Sequence, residues 1–461
     1  MASSRGEFGS KLGFVLAAAG SAVGLGNIWK FPFEVGLGGG AAFVVMYLVF
    51  CFLLCFPVMV AEIAIGRKTN KNPVGAFRDI GYPRWSIVGK LGLLSGVLIL
   101  SFYNVVAGWA FGYFLEMVQG NFSIGENFGG FVSDFMKVGL YGLLFMGTTA
   151  FIVSGGIQHG IERAAKILMP ALLTIIFFLV IYSFTLPNAM KGLEFYLVPD
   201  FSKITGKVVH AALGQAFFSL SLGMGALITY GSYVSRKENI VQSAVYITLT
   251  DVGIAFVAGL MLFPLVFSQG LDTAGGAGLI FVTLPGVFQS FGPILGIVIG
   301  SLFFLLLSFA ALTSTVSLLE VPVCYVVDEH KIPRKKAVWL IAGFIFVIGI
   351  PSLLANGASE FLSNFTGYIG MSPTTDFMTF IGYVANDTFL PLGGMLITIF
   401  AAYKWKKENL SAEISEGFPG YEGSFVQKFL NFTISYLCPS ILGILFVLIV
   451  LNRFLGISIF E

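Results

Sequence analysis

The chain has 461 residues, of which 56% are hydrophobic and only 11% are charged, and its mean hydropathy is +0.89. Soluble domains carry roughly 25% charged residues, so this composition excludes a soluble globular protein and indicates one that crosses a membrane many times. The net charge of +2 arises from short loops between apolar segments and gives no reason to expect a nucleic-acid partner. The four cysteines all fall inside apolar segments, which fits packing positions rather than a disulfide framework or a zinc site.

About eleven apolar segments are long enough to cross a bilayer as helices. In chain order they cover residues 12–36, 41–65, 88–118, 138–154, 165–186, 208–234, 240–268, 289–327, 337–355, 377–403 and 428–453. No loop between them has the length of a separate soluble domain. We therefore predict one all-α membrane transport domain over residues 1–461, embedded in the lipid bilayer.

Basic residues concentrate in alternate loops, which predicts the orientation of the chain in the membrane. The lysines and arginines before the first segment, and those near residues 67–84, 163–166, 236–237, 331–336 and 404–407, lie on one side. By the positive-inside rule that side is cytoplasmic. We expect a multi-pass protein of the cell (inner or plasma) membrane with its amino terminus in the cytoplasm and, after an odd number of spans, Glu461 outside.

The first apolar segment contains residues that break a helix at its centre. The stretch "AGSAVGLGNIWKFPF", Ala19 to Phe33, holds three glycines, the polar Asn27, the cationic Lys30 and a proline. An unpaired backbone amide is costly in hydrocarbon, and irregular backbone at this depth is tolerated where it lines a cavity. The sequence therefore predicts an unwound helix there.

A second interruption begins the second half of the chain. The stretch "GQAFFSLSLGMGALITYG", Gly214 to Gly231, breaks its apolar run with two serines and two glycines. Small residues also allow close helix packing, but two breaks at matching positions favour a binding site between inverted repeats. The predicted repeats cover about 11–186 and 206–403, followed by an extra helix near 428–453.

Four motifs give these segments a family resemblance. "AVGLGNIWKFPF", "GGGAAF", "SLSLGMG" and "LTSTVSLLEVPV" occur in an order that resembles the neurotransmitter:sodium symporter family, especially its bacterial hydrophobic amino-acid transporters. The similarity begins near Arg5 and weakens after about Ala355. It implies the leucine-transporter fold, a 5+5 inverted-repeat bundle whose first and sixth helices are unwound at mid-membrane, plus one extra helix where the family usually has two.

The resemblance implies two sodium sites, because unwound helices free carbonyl oxygens for a hard cation. The first site would use the Ala22 carbonyl and the side chains of Asn27, Ser219 and Asp251, with the substrate carboxylate completing it. The second would use the carbonyls of Gly20, Val23 and Ala310 with the hydroxyls of Thr313 and Ser314. The alternative for those two hydroxyls is back-bonding to a carbonyl one turn earlier.

The resemblance also implies an α-amino acid as the substrate, because Gly24 stands where monoamine-transporting relatives place a carboxylate. Met224 is a flexible thioether that repacks around ligands of different size, so we expect aliphatic and aromatic hydrophobic L-amino acids. The implied binding residues are Ala22, Val23, Gly24, Leu25, Gly26, Ile99, Tyr103, Phe218, Ser219, Ser221, Met224, Ser314 and Leu318. Singly, each apolar side chain among them also fits ordinary helix packing.

Two gates are implied on either side of that pocket. On the outside, Lys30 replaces the family's arginine, and we expect Asp376 to be its partner, although counting from the motif "PLGG" places Gly382 at the family's aspartate position. On the cytoplasmic side, Arg5 and Asp328 match the family's ion pair, with Tyr233 bracing it. Their alternative roles are a topology charge and a solvated loop acid.

The last expectation concerns whether transport requires chloride and whether it moves protons. Tyr47, Gln215 and Ser219 match part of a chloride shell in animal relatives, but Asp251 brings a fixed carboxylate. We therefore expect chloride-independent transport, with Asp251 taking a proton when sodium leaves, or else remaining ionised and only binding sodium. The alternatives are transport of another small amine or zwitterion, or a non-transporting sensor. The three histidines form no catalytic motif, so an enzyme is not expected. We expect a monomer or weak dimer.

Overall fold

The computed structural model describes residues 6–270, 278–365, 375–455 and 457, and in these ranges the chain is helical with no β-strand. Nine continuous helices of this part are long and apolar enough to cross a membrane. They are Ala41–Thr69, Pro83–Val118, Phe135–Ser154, Ile157–Phe184, Ile240–Ser268, Pro293–His330, Arg334–Leu354, Phe377–Lys404 and Phe425–Asn452. With the two interrupted segments described next, we number the spans one to eleven in chain order.

The first and sixth spans are each divided into two helices. The first consists of Lys11–Ala22 and Gly26–Leu37, which meet at an angle of 52°. The sixth consists of Gly206–Ser219 and Ala226–Gly231, pieces of 14 and 6 residues that are individually too short to cross a bilayer. Both interruptions fall where the sequence predicts them, and the prediction of an all-α membrane fold is confirmed.

The fifth span begins earlier than the sequence indicates. Its helix starts with a π-turn at Ile157–Glu162, eight residues before the predicted start at 165. The polar residues of this turn are typical of a loop, but Glu162 is buried and pairs with Lys166 at 2.6 Å within the same helix. Because the Glu162 charge is paired within the helix, it does not require hydration in a loop, and the span can begin before it.

Glycines allow the second span and the C-terminal half of the sixth to meet at backbone distance. A Cβ atom at Gly66 would lie 2.0 Å from the carbonyl oxygen of Ile228, and one at Gly231 would lie 2.6 Å from that of Ile63. Both contacts are closer than any side chain permits. The second span therefore supports the short helix that follows the break in the sixth.

We expect Gly66→Ala to destabilise the protein by about 1–3 kcal/mol, because the added methyl group overpacks this contact. The measurement is thermal unfolding of the purified protein in detergent. Gly147→Ala is the matched control, since a Cβ at this helical glycine meets nothing within 4 Å. Equal unfolding temperatures for both variants would contradict the close packing.

Candidate functional site

Side chains satisfy the backbone groups that the first break releases. Val23 leaves the helix with an extended conformation (φ −70°, ψ 110°). The Gly24 N–H donates to Asn27 Oδ1 at 3.0 Å, and the Leu25 N–H donates to the Tyr103 hydroxyl at 2.8 Å. The unwound backbone is thus held by one residue of its own span and one of the third span.

The second break depends on residues that adopt positive φ. Ser221, Gly223 and Gly225 have φ of 54°, 81° and 77°. The Gly223 N–H donates to Glu62 Oε1 of the second span at 2.8 Å. A Cβ at Gly223 would lie 2.3 Å from the Leu390 carbonyl oxygen, so only glycine fits here. A buried carboxylate on a neighbouring span therefore stabilises this turn.

The two breaks enclose a small cavity of about 20 Å³. Its walls contain eleven of the thirteen residues that the sequence predicts to bind substrate; Val23 and Leu25 are the exceptions. The lining residues are Ser21, Ala22, Gly24, Gly26, Ile99, Tyr103, Phe218, Ser219, Ser221, Met224, Ser314 and Leu318. A cavity of this size holds about one water molecule, so the pocket has to widen before it can hold an amino acid.

Ser21 is the residue in this wall that the sequence analysis missed. Its carbonyl oxygen accepts from the Ser221 hydroxyl at 3.0 Å, and its own hydroxyl donates to Ser317 at 2.7 Å. It thus joins the first, sixth and eighth spans. A single polar residue within an apolar run was the available signal.

A buried carboxylate lies near the cavity, next to Asn27, which follows the first break, and Ser219, which precedes the second. Asp251 of the seventh span is fully buried, and Asn27 Nδ2 donates to its Oδ1 at 2.7 Å. Its Oδ2 accepts from the Ser219 hydroxyl at 2.9 Å and from the Tyr47 hydroxyl at 3.2 Å. Across the residues that the structure describes, no lysine, arginine or histidine forms an ion pair with Asp251. A buried carboxylate of this kind favours a cation as its missing partner.

A second, uncharged group of oxygens lies between the first and eighth spans. Thr313 Oγ1 is 3.1 Å from the Val23 carbonyl oxygen and 2.9 Å from that of Ala310. Ser314 Oγ is 3.2 Å from the same Val23 oxygen. A Cβ at Gly20 would lie 3.2 Å from Thr313 Cβ, so the two helices approach closely there. All five predicted contributors to the second sodium site therefore lie in one region. Thr313 also bonds to the Phe309 carbonyl oxygen one turn earlier in its own helix at 3.3 Å, whereas the Ser314 hydroxyl bonds to carbonyl oxygens of the first span.

A larger cavity of about 450 Å³ lies on the other side of Phe218, which lines both cavities. Lys30 lines it together with Glu34 and Asp387. The Lys30 ammonium lies 4.6 Å from the centre of the Phe218 ring. The ring thus separates the two cavities, and the Lys30 ammonium, which lines the larger one, packs against it.

Asp376, the expected partner of Lys30, has a different role in this conformation. Its carboxylate accepts from the Thr379 N–H at 2.9 Å and from the Thr379 hydroxyl at 2.6 Å, capping the helix Phe377–Gly382. Neither ion pair nor shared cavity joins it to Lys30 among the described residues. The acids that face Lys30 across the large cavity are Glu34 and Asp387.

The opposite gate is described in part, because Arg5 lies outside the described residues. Asp328 accepts from the Asn72 backbone N–H at 2.9 Å and from its side-chain amide at 3.2 Å. The Tyr233 hydroxyl donates to Glu320 at 2.8 Å, and Glu320 also pairs with Arg334. Tyr233 therefore braces the eighth span through Glu320.

Gln215 links the two divided spans near the carboxylate. Its Nε2 donates to the Gly26 carbonyl oxygen at 2.9 Å, whereas its Oε1 is buried without a hydrogen bond. The Tyr47 hydroxyl is directed to Asp251 and Ser219. The side chains expected to match a chloride shell thus contact the carboxylate itself or, in the case of Gln215, the Gly26 carbonyl at the start of the helix after the break.

Comparison with known proteins agrees with this geometry. The model of the sodium:neurotransmitter symporter family matches residues 5–127 and 133–455. An uncharacterized sodium-dependent transporter of Bacillus subtilis, YhdH, is 35% identical over 97% of both chains, and one of Haemophilus influenzae is 32% identical over 96% of this chain and 98% of its own. The crystal structure of MhsT in complex with L-phenylalanine superimposes with a TM-score of 0.87 at 41% identity, covering 96% of this chain and 99% of MhsT.

The family match includes both interrupted spans and the site residues named above. The matching relatives are named as sodium-dependent transporters, and the family is one of secondary transporters rather than enzymes. The chain is a multi-pass membrane transporter that belongs to the sodium:neurotransmitter symporter family.

Proposed function

We propose that the protein is a sodium-coupled symporter that takes up hydrophobic L-amino acids, aliphatic and aromatic, by alternating access. The observation that carries this proposal is the buried carboxylate of Asp251, which lies with Asn27 and Ser219 beside a cavity enclosed by two unwound helices. This arrangement offers oxygens to a cation and backbone N–H groups to an anion at the same place.

Gly24 supports an α-amino acid as the substrate. A Cβ there would lie 2.4 Å from Ser314 Oγ and 2.7 Å from the Tyr103 hydroxyl, so the protein has no room for a carboxylate of its own. The substrate brings that carboxylate, which meets the Tyr103 hydroxyl, the N–H groups of the break and the first sodium ion. The similarity to MhsT, whose structure contains L-phenylalanine, supports a hydrophobic side chain.

Two sodium ions accompany the substrate in this proposal. The first binds Ala22 O, Asn27, Ser219 and Asp251, with the Asn27 amide oxygen turned toward the ion. The second binds the uncharged oxygens of Gly20, Val23, Ala310, Thr313 and Ser314. Ser314 contributes to the second site and lines the cavity, which couples ion binding to substrate binding.

The orientation of the protein follows from its basic loops, with the amino terminus in the cytoplasm. The large cavity of about 450 Å³ then faces outward, and Phe218 and Tyr103 close the pocket beneath it. Lys30 forms the outer gate with an acid of the tenth span. The two candidates for this acid are Asp376 and Asp387, and Asp387 lines the same cavity as Lys30. Arg5, Asp328 and Tyr233 form the inner gate.

Asp251 also supports transport without chloride. A chloride ion about 5 Å from this carboxylate would be repelled by roughly 3 kcal/mol at an effective dielectric constant of about 20. The carboxylate itself supplies the negative charge that sodium needs. When sodium leaves, the acid takes up a proton, which neutralises the empty carrier for its return.

Uptake into proteoliposomes tests the main proposal. With an inward sodium gradient we expect accumulation of radiolabelled leucine, phenylalanine and tryptophan, and with equal sodium on both sides we expect only equilibration. A panel of other amines and zwitterions serves as the control for substrate class. Failure of every amino acid to accumulate would overturn the symporter and favour a sensor.

The two sodium sites predict separable losses. Asn27→Ala should remove one component of the sodium-binding isotherm and Thr313→Ala the other, because the two side chains serve different oxygen clusters. Thr149→Ala in the fourth span is the control, since its hydroxyl bonds to Thr315, two residues from Thr313 on the eighth span, without reaching either cluster. Identical losses in both site variants would contradict two sites.

Met224→Phe should reduce the affinity for aromatic substrates by roughly ten- to a hundredfold while affecting leucine less, because the larger ring overpacks the wall of the cavity. Met224→Leu, which conserves volume, is the control. Competition binding with tryptophan and leucine measures the difference. Parallel weakening of the two ligands would show that Met224 does not contact the substrate side chain.

Chloride replacement and pH test the role of Asp251. Uptake should persist with gluconate on both sides, and sodium-driven uptake should acidify the vesicle exterior. Asp251→Asn retains an oxygen for sodium but carries no exchangeable acid, so proton release should disappear in this variant. Loss of transport in gluconate would refute chloride independence, and uptake without proton release would refute proton antiport.

A further inference from the structure

The N-terminal end of the first span is bonded to one carboxylate of the fifth span. Glu162 Oε2 accepts from the Gly9 N–H at 2.7 Å, and its Oε1 accepts from the Ser10 hydroxyl at 3.0 Å. Ser10 also caps the helix Lys11–Ala22 by accepting from the Gly13 N–H at 3.0 Å. The negative charge therefore lies at the positive end of that helix, where it is stabilising.

The contact is built for close approach. A Cβ at Gly13 would lie 2.1 Å from Glu162 Oε1, so the carboxylate occupies the space that any other residue would fill. A Cβ at Gly6 would lie 3.2 Å from Ile157 Cγ1, so the preceding residues also follow the start of the fifth span. Glu162 is only 3% exposed, which protects its bonds from water.

Lys166 allows the bonds between Glu162 and the first span to break and form again. Its ammonium lies 2.6 Å from Glu162 Oε1, one helical turn along the same span, and its side chain is 43% exposed. If the first span departs, Glu162 keeps this partner and is never left as an unpaired buried charge. Separation therefore costs the bonds to Gly9 and Ser10 without the larger penalty of a lone ion.

The other end of the same helix carries part of the second oxygen cluster. Lys11–Ala22 is a continuous helix of 12 residues, and Val23 follows it directly. The Val23 carbonyl meets the hydroxyls of Thr313 and Ser314 on the eighth span. The bonds to Glu162 and the Val23 carbonyl of the oxygen cluster therefore lie at opposite ends of one rigid helix. When that helix docks on the fifth span, the cluster is assembled as well.

We propose that Glu162 is a positioning residue of the transport cycle, a latch that holds the N-terminal half of the first span where the Val23, Thr313 and Ser314 oxygens are assembled. The inference rests on the proposed function in one respect, namely that this cluster binds sodium. By linkage, a latch and an ion that favour the same docked state strengthen each other.

Accessibility of a buried cysteine tests the latch directly. The parent protein has its four cysteines replaced by alanine and carries Ala17→Cys, a position that is 4% exposed in the docked helix. Labelling with a membrane-impermeant maleimide from the cytoplasmic side measures undocking. We expect Glu162→Gln to raise the labelling rate in the absence of sodium by roughly five- to tenfold and to lower apparent sodium affinity by a similar factor.

Two further variants make the result specific. Glu7→Gln removes the same charge from an exposed residue of the same terminal segment and should leave both readouts unchanged. Ser10→Ala should reproduce part of the effect of Glu162→Gln and add little to it in the double variant, as expected for residues that share one bond. Ser10→Ala also serves if Glu162→Gln does not fold.

The outcomes separate the latch from the proposed function. Labelling in Glu162→Gln and Ser10→Ala at the rate of Glu7→Gln would overturn the latch. Additive effects of Ser10→Ala and Glu162→Gln would also count against it. If sodium fails to slow labelling in the parent, the sodium-bound docked state of the proposed function is refuted, while the comparison of the variants without sodium still decides the latch.

Discussion

The structure depends on one constraint, which is that every backbone group released within the membrane needs a partner from the protein. The first break meets it with Asn27 and Tyr103, and the second meets it with Glu62 and a turn that requires glycine. Asn27 lies in the first span itself, whereas Tyr103 and Glu62 come from the third and second spans. The interruptions are therefore stable only when the second and third spans are assembled around them.

The same constraint produces the chemistry of the site. Breaking two helices at one depth directs carbonyl oxygens and N–H groups into a common space, and Asp251 adds one full charge on one side of it. The second cluster, around Thr313, contains only uncharged oxygens. The two proposed ions would accordingly be held by unlike forces, the first by a charge and the second by dipoles alone.

Much of this could be predicted from the sequence, since hydropathy marks the spans and clustered glycines mark both breaks. The residues in the wall of the small cavity also followed, through the resemblance of the motifs that contain Gly24 and Ser219 to those of the family. What the sequence could not give depended on pairing between distant residues. The start of the fifth span was hidden because Glu162 is neutralised by Lys166. The partner of Lys30 also depends on distant pairing: in this conformation Asp376 caps its own helix, whereas Asp387, within the π-turn Tyr383–Phe389, lines the same cavity as Lys30.

The glycine contacts of the sixth span have a mechanical consequence. Its C-terminal half is packed at backbone distance on the second span through Gly66 and Gly231, whereas its N-terminal half is tied to the first span through Gln215. The two halves thus belong to different rigid parts of the bundle, and the turn from Leu220 to Gly225 connects them. Because this turn is already unwound, the two halves can rotate relative to each other at little cost in helical hydrogen bonds, although Leu220 and Leu222 still bond back to the Ala216 and Phe217 carbonyl oxygens.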